Sequence, residues 1–295
     1  MAESCQVKLT RMEKKIDELH AKVDKLLIPT PIPVPPTPPV PPIPPVTPSK
    51  WVLLNCINWN LNALNNLPLQ DATEFTYFVL PVNADGSLKG INPTQETKFV
   101  SDVHGAGKKA TFSIAGGTNN IADITAAVNQ KFNLVNAIKL HVDQFGYDGV
   151  TIDIEGTAID AQAMKDFMVL LRTSLGDKII GCYIQGYQLN TVWAKLNEYK
   201  DVLTWISIMY YDSGLFNLAL FNSLNAQLEA KVGKDKVLGG VAVNYPVNNT
   251  GLSPEQFGQC LDAINDKGYK GAGLWQNVSY TEPWKQVRRT KFPNI

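Results

Sequence analysis

The chain has 295 residues, 27 Lys and Arg against 27 Asp and Glu, and a hydrophobic content of 44%. That balance, without any basic stripe, excludes a nucleic-acid binder, which needs many phosphate-neutralising cations on one face. No run of roughly 18 apolar residues marks a membrane span, and the length suits one large domain or two small ones.

In chain order, Met1-Ala2-Glu3-Ser4 leads into charged residues instead of an apolar stretch, so no secretory signal peptide is expected. Residues 1–27 carry a heptad pattern: Leu9, Ile16 and Val23 recur every seventh position, with Met12, Leu19 and Leu26 three residues after each. β-Branched residues at a and Leu at d make parallel two- or three-stranded coiled coils. The seam therefore predicts a homodimer or homotrimer through residues 5–27, or pairing with a partner coil on a larger particle. A single amphipathic helix packed on the body is the alternative. Residues 28–49 follow with 12 of the chain's 19 prolines. Proline fixes φ and lacks the amide donor, so this stretch predicts a polyproline II spacer of about 65 Å, at roughly 3.1 Å per residue. Docking to a proline-binding module is the other reading of such a segment.

From Lys50 the sequence alternates between short apolar runs and helical periodicity. Strands are expected at Trp51–Asn58, Phe75–Leu80, Lys109–Ala115, Gly149–Ile154, Lys178–Ile184, Trp205–Tyr211, Val237–Val243 and Ala272–Trp275. Helices are expected at Ile121–Phe145, Ala158–Leu175 and Ser253–Lys267, the last opening on Ser253-Pro254, an N-cap followed by Pro at N1. Eight such units over residues 50–295 predict an α/β fold, a (β/α)8 TIM barrel, behind the coiled-coil helix and the polyproline linker. A doubly wound open sheet is the runner-up, but no glycine-rich phosphate loop follows the first strand. His104-Gly105-Ala106-Gly107-Lys108 lacks the remaining features of a P-loop and reads as an ordinary turn. Cys5, Cys56, Cys182 and Cys260 lie far apart, without metal-ligand spacing, and read as buried or free thiols.

The stretch Asp148-Gly149-Val150-Thr151-Ile152-Asp153-Ile154-Glu155 is the most informative. Strand alternation puts Thr151, Asp153 and Glu155 on one face and three β-branched apolar residues on the other. Two carboxylates two residues apart at the C-terminal end of a barrel strand stand where barrel enzymes keep their chemistry; capping of the following helix is the structural alternative.

This stretch resembles the D-G-x-D-x-D-x-E signature of the family-18 glycoside hydrolases, the chitinase-like family. Asp148, Gly149, Asp153 and Glu155 match it, and Thr151 stands where the family usually has Asp. Three further motifs fall in order on the expected strands: Ser113 to Gly116 (with Ala115 for one Gly), Met209-Tyr210-Tyr211-Asp212, and Trp275 on the last strand. The resemblance covers Lys50 to the C-terminus. It implies Glu155 as general acid, Asp153 as partner of the substrate's acetamido group, and Tyr211 and Asp212 as its assistants, with no metal or organic cofactor. Such enzymes use the substrate's own N-acetyl group as nucleophile. Trp275 would offer a flat face to a sugar ring or else pack in the core; Trp59, Tyr183, Gln185 and Tyr245 are the further candidates for the groove. A hydroxyl at Thr151 can donate to Asp153 but cannot take over a proton, so reduced or pH-shifted activity is expected.

The resemblance implies hydrolysis of β-1,4-linked N-acetylglucosamine polymers of the chitin type by a retaining mechanism. Peptidoglycan and N-glycans remain open as substrates. A non-catalytic lectin on the same barrel and a particle-borne display protein are the competing classes. Binding-only members commonly lose the acid at the Glu155 position, and here it is present. The partner is then an N-acetylglucosamine-containing polysaccharide, with neither nucleic acid nor membrane. Carriage on a virion, injection device or spore-type particle would reconcile an extracellular substrate with the missing signal peptide.

Overall fold

The computed structural model describes Lys15, Glu18 and residues 50–295 apart from 118, 157–158, 214–215 and 244–250. The chain divides into two units, Met1–Val46 and Thr47–Ile295. The expected coiled coil and proline spacer lie outside the described residues, save that Lys15 and Glu18 are helical and exposed.

Eight strands, β1 (Trp51–Ile57), β2 (Glu74–Leu80), β3 (Lys109–Ala115), β4 (Gly149–Asp153), β5 (Ile179–Ile184), β6 (Trp205–Ile208), β7 (Val237–Ala242) and β8 (Gly271–Trp275), pair in sequence order as a closed barrel. Every pairing is parallel, and β8 returns to β1 with Trp51 opposite Gly271. The helices are α1 (Leu61–Asn65), α2 (Pro93–Gly105), α3 (Ile121–Asn129), α4 (Lys131–Phe145), α5 (Ala161–Leu175), α6 (Leu218–Val232), α7 (Pro254–Lys267) and α8 (Glu282–Lys291). This is a TIM barrel, as expected.

The local chemistry sets the helix boundaries. Ser253 caps α7 with its hydroxyl on the Gln256 amide, and Gln256 returns the bond to Ser253. The expected single helix over Ile121–Phe145 is two, because Asn129 is a weak helix former and Gln130 leaves helical geometry at φ −94°, ψ 40°. Gln130 sends its side chain to Ala84 O instead. The helix expected from Ala158 begins only at Ala161, since Asp160 accepts from the Gln162 and Ala163 amides as N-cap. Between β5 and β6 there is no α-helix, and the crossover is made of three 3-10 turns. Its buried Leu189, Val192, Trp193 and Leu196 have helical spacing, but Thr191 breaks the run at φ −119°, ψ −95°. The segment from His104 to Lys108 holds the end of α2 and, from Ala106, the expected turn into β3.

Two apolar layers flank the sheet. Outside, Phe75, Phe99, Phe112, Val150, Ile152 and Phe167 pack between strands and helices. Inside, Leu53, Ile179, Tyr183, Trp205, Met209 and Leu238 fill the barrel. Cys56, Cys182 and Cys260 are free, buried thiols, and burial pushes that of Cys260 up to about 12.

One charge sits at the base of the barrel. Glu74, fully buried, accepts hydrogen bonds from Trp51 Nε1 (2.8 Å), Trp205 Nε1 (3.0 Å) and Thr111 Oγ1 (2.8 Å). Thr111 Oγ1 in turn lies 2.9 Å from Thr76 Oγ1. Burial raises the Glu74 carboxyl from 4.5 to about 7, against the opposing pull of its three donors. A second polar clasp joins the chain ends of the barrel. Asp71, ahead of β2, accepts from Nε and Nη2 of Arg289 (2.8 and 2.9 Å) and from the buried Arg288 of α8.

Candidate active site

The C-terminal ends of the strands open into a cavity of about 290 Å³ lined by Trp59, Phe78, Val79, Gly117, Asp153, Glu155, Tyr183, Met209, Tyr211 and Trp275. The sequence-predicted Asp153, Glu155, Tyr211, Met209, Tyr183, Trp59 and Trp275 therefore meet in one place.

Each arrives differently. Asp153 is the last residue of β4 and is buried; Glu155 stands two residues beyond, where the strand has ended. The backbone of Gly117, after β3, passes so close that a Cβ there would lie 3.0 Å from Glu155 Oε1. Strand β6 also stops short of expectation, at Ile208, and Tyr210–Ser213 forms a 3-10 turn. Met209 and Tyr211 thus reach the cavity from the turn and not by strand alternation. Tyr183 on β5 is buried and its hydroxyl oxygen accepts from Asn55 Nδ2 at 2.6 Å.

The walls are aromatic. Phe78 packs edge-on against Trp275 (centroids 4.6 Å apart) and against Trp59 (6.2 Å), while Trp59 itself is 60% exposed. An exposed indole beside a polar cavity suits stacking on a sugar face, and its large area makes that contact energetically substantial. Sequence reading missed Phe78, Val79 and Gly117. Phe78 carried a usable signal, since it lies at the C-terminal end of β2 on the same face as Glu74 and Thr76.

Several expected residues do something else. Gln185 follows β5 but points to the acid, its Nε2 donating to Glu155 Oε2 at 3.2 Å. Asp148 lies at the other end of β4, where its carboxylate takes Ala110 N–H (2.9 Å), His104 Nε2 (2.8 Å) and Lys109 Nζ (3.0 Å). Burial would raise this carboxyl, but those donors outweigh it and hold it below its ordinary value. Asp148 is a staple at the base and no part of the cavity. Gly149 is needed for packing, because a Cβ would come within 2.0 Å of Ile179 O on β5. Ser113 is buried opposite Thr151 in the β3–β4 register.

Thr151 does not make the bond expected of it. Its Oγ1, like those of Ser113 and Ser207, has no hydrogen-bond partner among the described residues. Residues i and i+2 of a strand lie about 6.6 Å apart, and the short threonine side chain does not span that distance to Asp153. Gly116 adopts φ +76°, as does Ala115 at +75°, so the chain turns off β3 in left-handed geometry. That places Ala115 in a conformation glycine takes at less cost, which fits a motif with glycine there. The side chain of Asp212 and the whole of Tyr245 lie outside the described residues. No group of three His, Cys, Asp or Glu side chains converges on a metal-sized site among those described.

With the geometry in place, the comparisons are informative. A GH18 chitinase from Pseudoalteromonas aurantia superposes with a TM-score of 0.71 at 19% identity, covering 82% of this chain and 100% of that one. The fold is that of the family-18 chitinases. A GH18 chitinase from the chitin utilization locus of Flavobacterium johnsoniae gives 0.70 at 17% identity, over 83% of this chain and 94% of the other. The spore cortex-lytic enzyme SleL of Bacillus cereus gives 0.69 at 10% identity, over 83% and 74%. No family model matches the sequence, and no curated protein does.

Proposed function

We propose that this protein is a glycosidase acting on β-1,4-linked N-acetylglucosamine polymers, by a retaining mechanism in which the substrate's acetamido group is the nucleophile. The observation that carries the reading is the meeting of Asp153, Glu155 and Tyr211 in one aromatic-walled cavity at the C-terminal rim of the barrel. Barrel enzymes bind and react at that rim. The likeness in fold to chitinases and to a cortex-lytic enzyme supports the same class of substrate.

Glu155 protonates the glycosidic oxygen, and the leaving sugar departs with that proton. Asp153 accepts the acetamido N–H and steadies the positive charge as the acetamido carbonyl oxygen attacks C1, forming an oxazolinium ring. Tyr211 donates its hydroxyl to the same acetamido group, with Asp212 assisting. Water then attacks C1, giving a proton back to Glu155 and reopening the ring with net retention. Trp275 and Trp59 hold the sugars by stacking, and Tyr183 adds a polar contact at the floor. No step requires a metal or an organic cofactor.

The test is hydrolysis by the full chain of chitin oligosaccharides, purified peptidoglycan and high-mannose glycan side by side. Chitin oligosaccharides are expected to be cleaved fastest. Glu155→Gln removes the transferable proton at nearly constant shape and is expected to lower kcat by several orders of magnitude, beyond the roughly 10²–10⁴-fold of acid–base assistance alone. Glycan binding without turnover in the wild type, unchanged by Glu155→Gln, would leave a lectin in place of an enzyme.

A further inference from the structure

The 3-10 crossover that replaces a helix after β5 sits directly against the Glu155 loop, and Gln185 and Gln188 at its start are spent on that contact. Gln188, fully buried, donates from Nε2 to Ile154 O (2.9 Å) and to Gly156 O (2.6 Å), the carbonyls on either side of Glu155. Its own Oε1 accepts the Gln185 backbone amide at 2.9 Å. Gln185 completes the arrangement with its side chain. Its Oε1 accepts from the Tyr187 hydroxyl and from Gly156 N–H (3.4 Å), while its Nε2 donates to Glu155 Oε2 (3.2 Å).

These bonds fix the amide's direction. With the Gly156 N–H on one side and a carboxylate on the other, the flipped amide would set its NH₂ against an N–H donor and its oxygen against a carboxylate. We infer that Gln185 is a positioning residue for Glu155, locked by Tyr187 and Gly156 so that its amide nitrogen aims the carboxylate across the cavity and favours the ionised form that the second half of the reaction uses. The inference rests on the reading of Glu155 as the acid. Among the described residues, the titratable groups that share the cavity with it are Asp153 from β4, Tyr183 from β5 and Tyr211 from the turn after β6, with Gly117 backbone from β3. Asp153 is the other carboxyl of this set, and the Gln185 amide is a neutral donor placed on the Glu155 side of the pair.

A donor on the charged form lowers a carboxyl's pKa, and its removal raises it. Gln185→Met is therefore expected to raise the Glu155 pKa by about one unit, the scale of one hydrogen bond to a charged group. Gln185→Glu, which keeps an acceptor for Tyr187 and adds a like charge, should raise it further, and Tyr187→Phe, which frees the amide to turn, should raise it less. The experiment is carbon-detected carboxyl NMR titration of the full chain, with the Glu155 signal identified by its loss in Glu155→Gln, alongside the pH profile of kcat/KM on a chitin oligosaccharide. The expected result is that the titration midpoint and the basic limb of the profile move up together in the order Tyr187→Phe, Gln185→Met, Gln185→Glu. A merely structural role would lower activity at every pH and leave both midpoints in place, and that result overturns the inference. Should the NMR midpoint shift while the wild type hydrolyses no N-acetylglucosamine polymer, the positioning contact stands and the glycosidase reading falls.

Discussion

Glu74→Gln should make the barrel more stable at alkaline pH, although it removes the only carboxylate bonded by Trp51, Trp205 and Thr111. The native carboxyl titrates at about 7 against 4.5 in a solvated chain. Between those values the folded protein holds a proton that the unfolded chain has already lost. Stability from this group is therefore fully present below the unfolded pKa, falls as pH rises from about 4.5 to about 7, and stays lost above. The difference amounts to about 3 kcal/mol. Glutamine mimics the protonated acid. Its oxygen can accept from both indoles, and its NH₂ can donate to Thr111 Oγ1, whose hydrogen turns to Thr76 Oγ1 only 2.9 Å away. Urea unfolding of wild type and variant, followed by tryptophan fluorescence at pH 5 and pH 8, isolates the group because every other titrating residue is common to both. The variant should exceed the wild type by a little under about 1 kcal/mol at pH 5 and by about 3 kcal/mol at pH 8, the latter roughly 6–12 °C in Tm for a domain of this size. Equal pH dependence in the two proteins would refute the argument, since it would mean that Glu74 is ionised at no cost in the fold.

Two further outcomes are expected. Thr151→Asp places a carboxylate beside Asp153 opposite Ser113, and should raise kcat or broaden the pH optimum on chitin oligosaccharides; loss of activity with an unchanged circular dichroism spectrum would mean that the site is tuned around the hydroxyl. Deleting residues 1–49 should convert a dimer or trimer into a monomer by light scattering, with unchanged turnover on soluble oligosaccharides and weaker retention on insoluble polysaccharide; a monomeric full chain at micromolar concentration would leave a foreign partner coil as the role of the seam.

The barrel was legible because each strand is a short apolar run closed by polar or turn residues, and because Asp153 and Glu155 stand at a strand end with too much charge for a core. What lay beyond reach were the features set by register and by where strands stop. Asp148 belongs to the same motif as Asp153, yet five residues carry the chain from one end of the barrel to the other, so the motif's first acid secures the base. Gln185 read as a groove residue at the end of β5, but the 3-10 turn that follows holds its amide on Glu155. Thr151 keeps its face and loses its bond, because side-chain reach is invisible in a pattern. Glu74 gave no warning at all: a carboxylate opening a strand looks like any solvated edge until two indoles from β1 and β6 are known to converge on it.

The clasp between Asp71 and the last helix has a consequence for how the chain is made. Arg288 and Arg289 lie 217 and 218 positions from the aspartate they grip, and β8 reaches β1 only when Gly271 comes to lie opposite Trp51. During synthesis from the N-terminus, β1 must therefore wait with an open edge, able to pair with any strand that presents itself, until β8 has left the ribosome. Closure over such a separation is slow. The two arginines, arriving after β8, act as a latch on a ring that is already formed. A product truncated before α8 would keep all eight strands and still lack the latch over the seam at which neighbouring nascent chains can join.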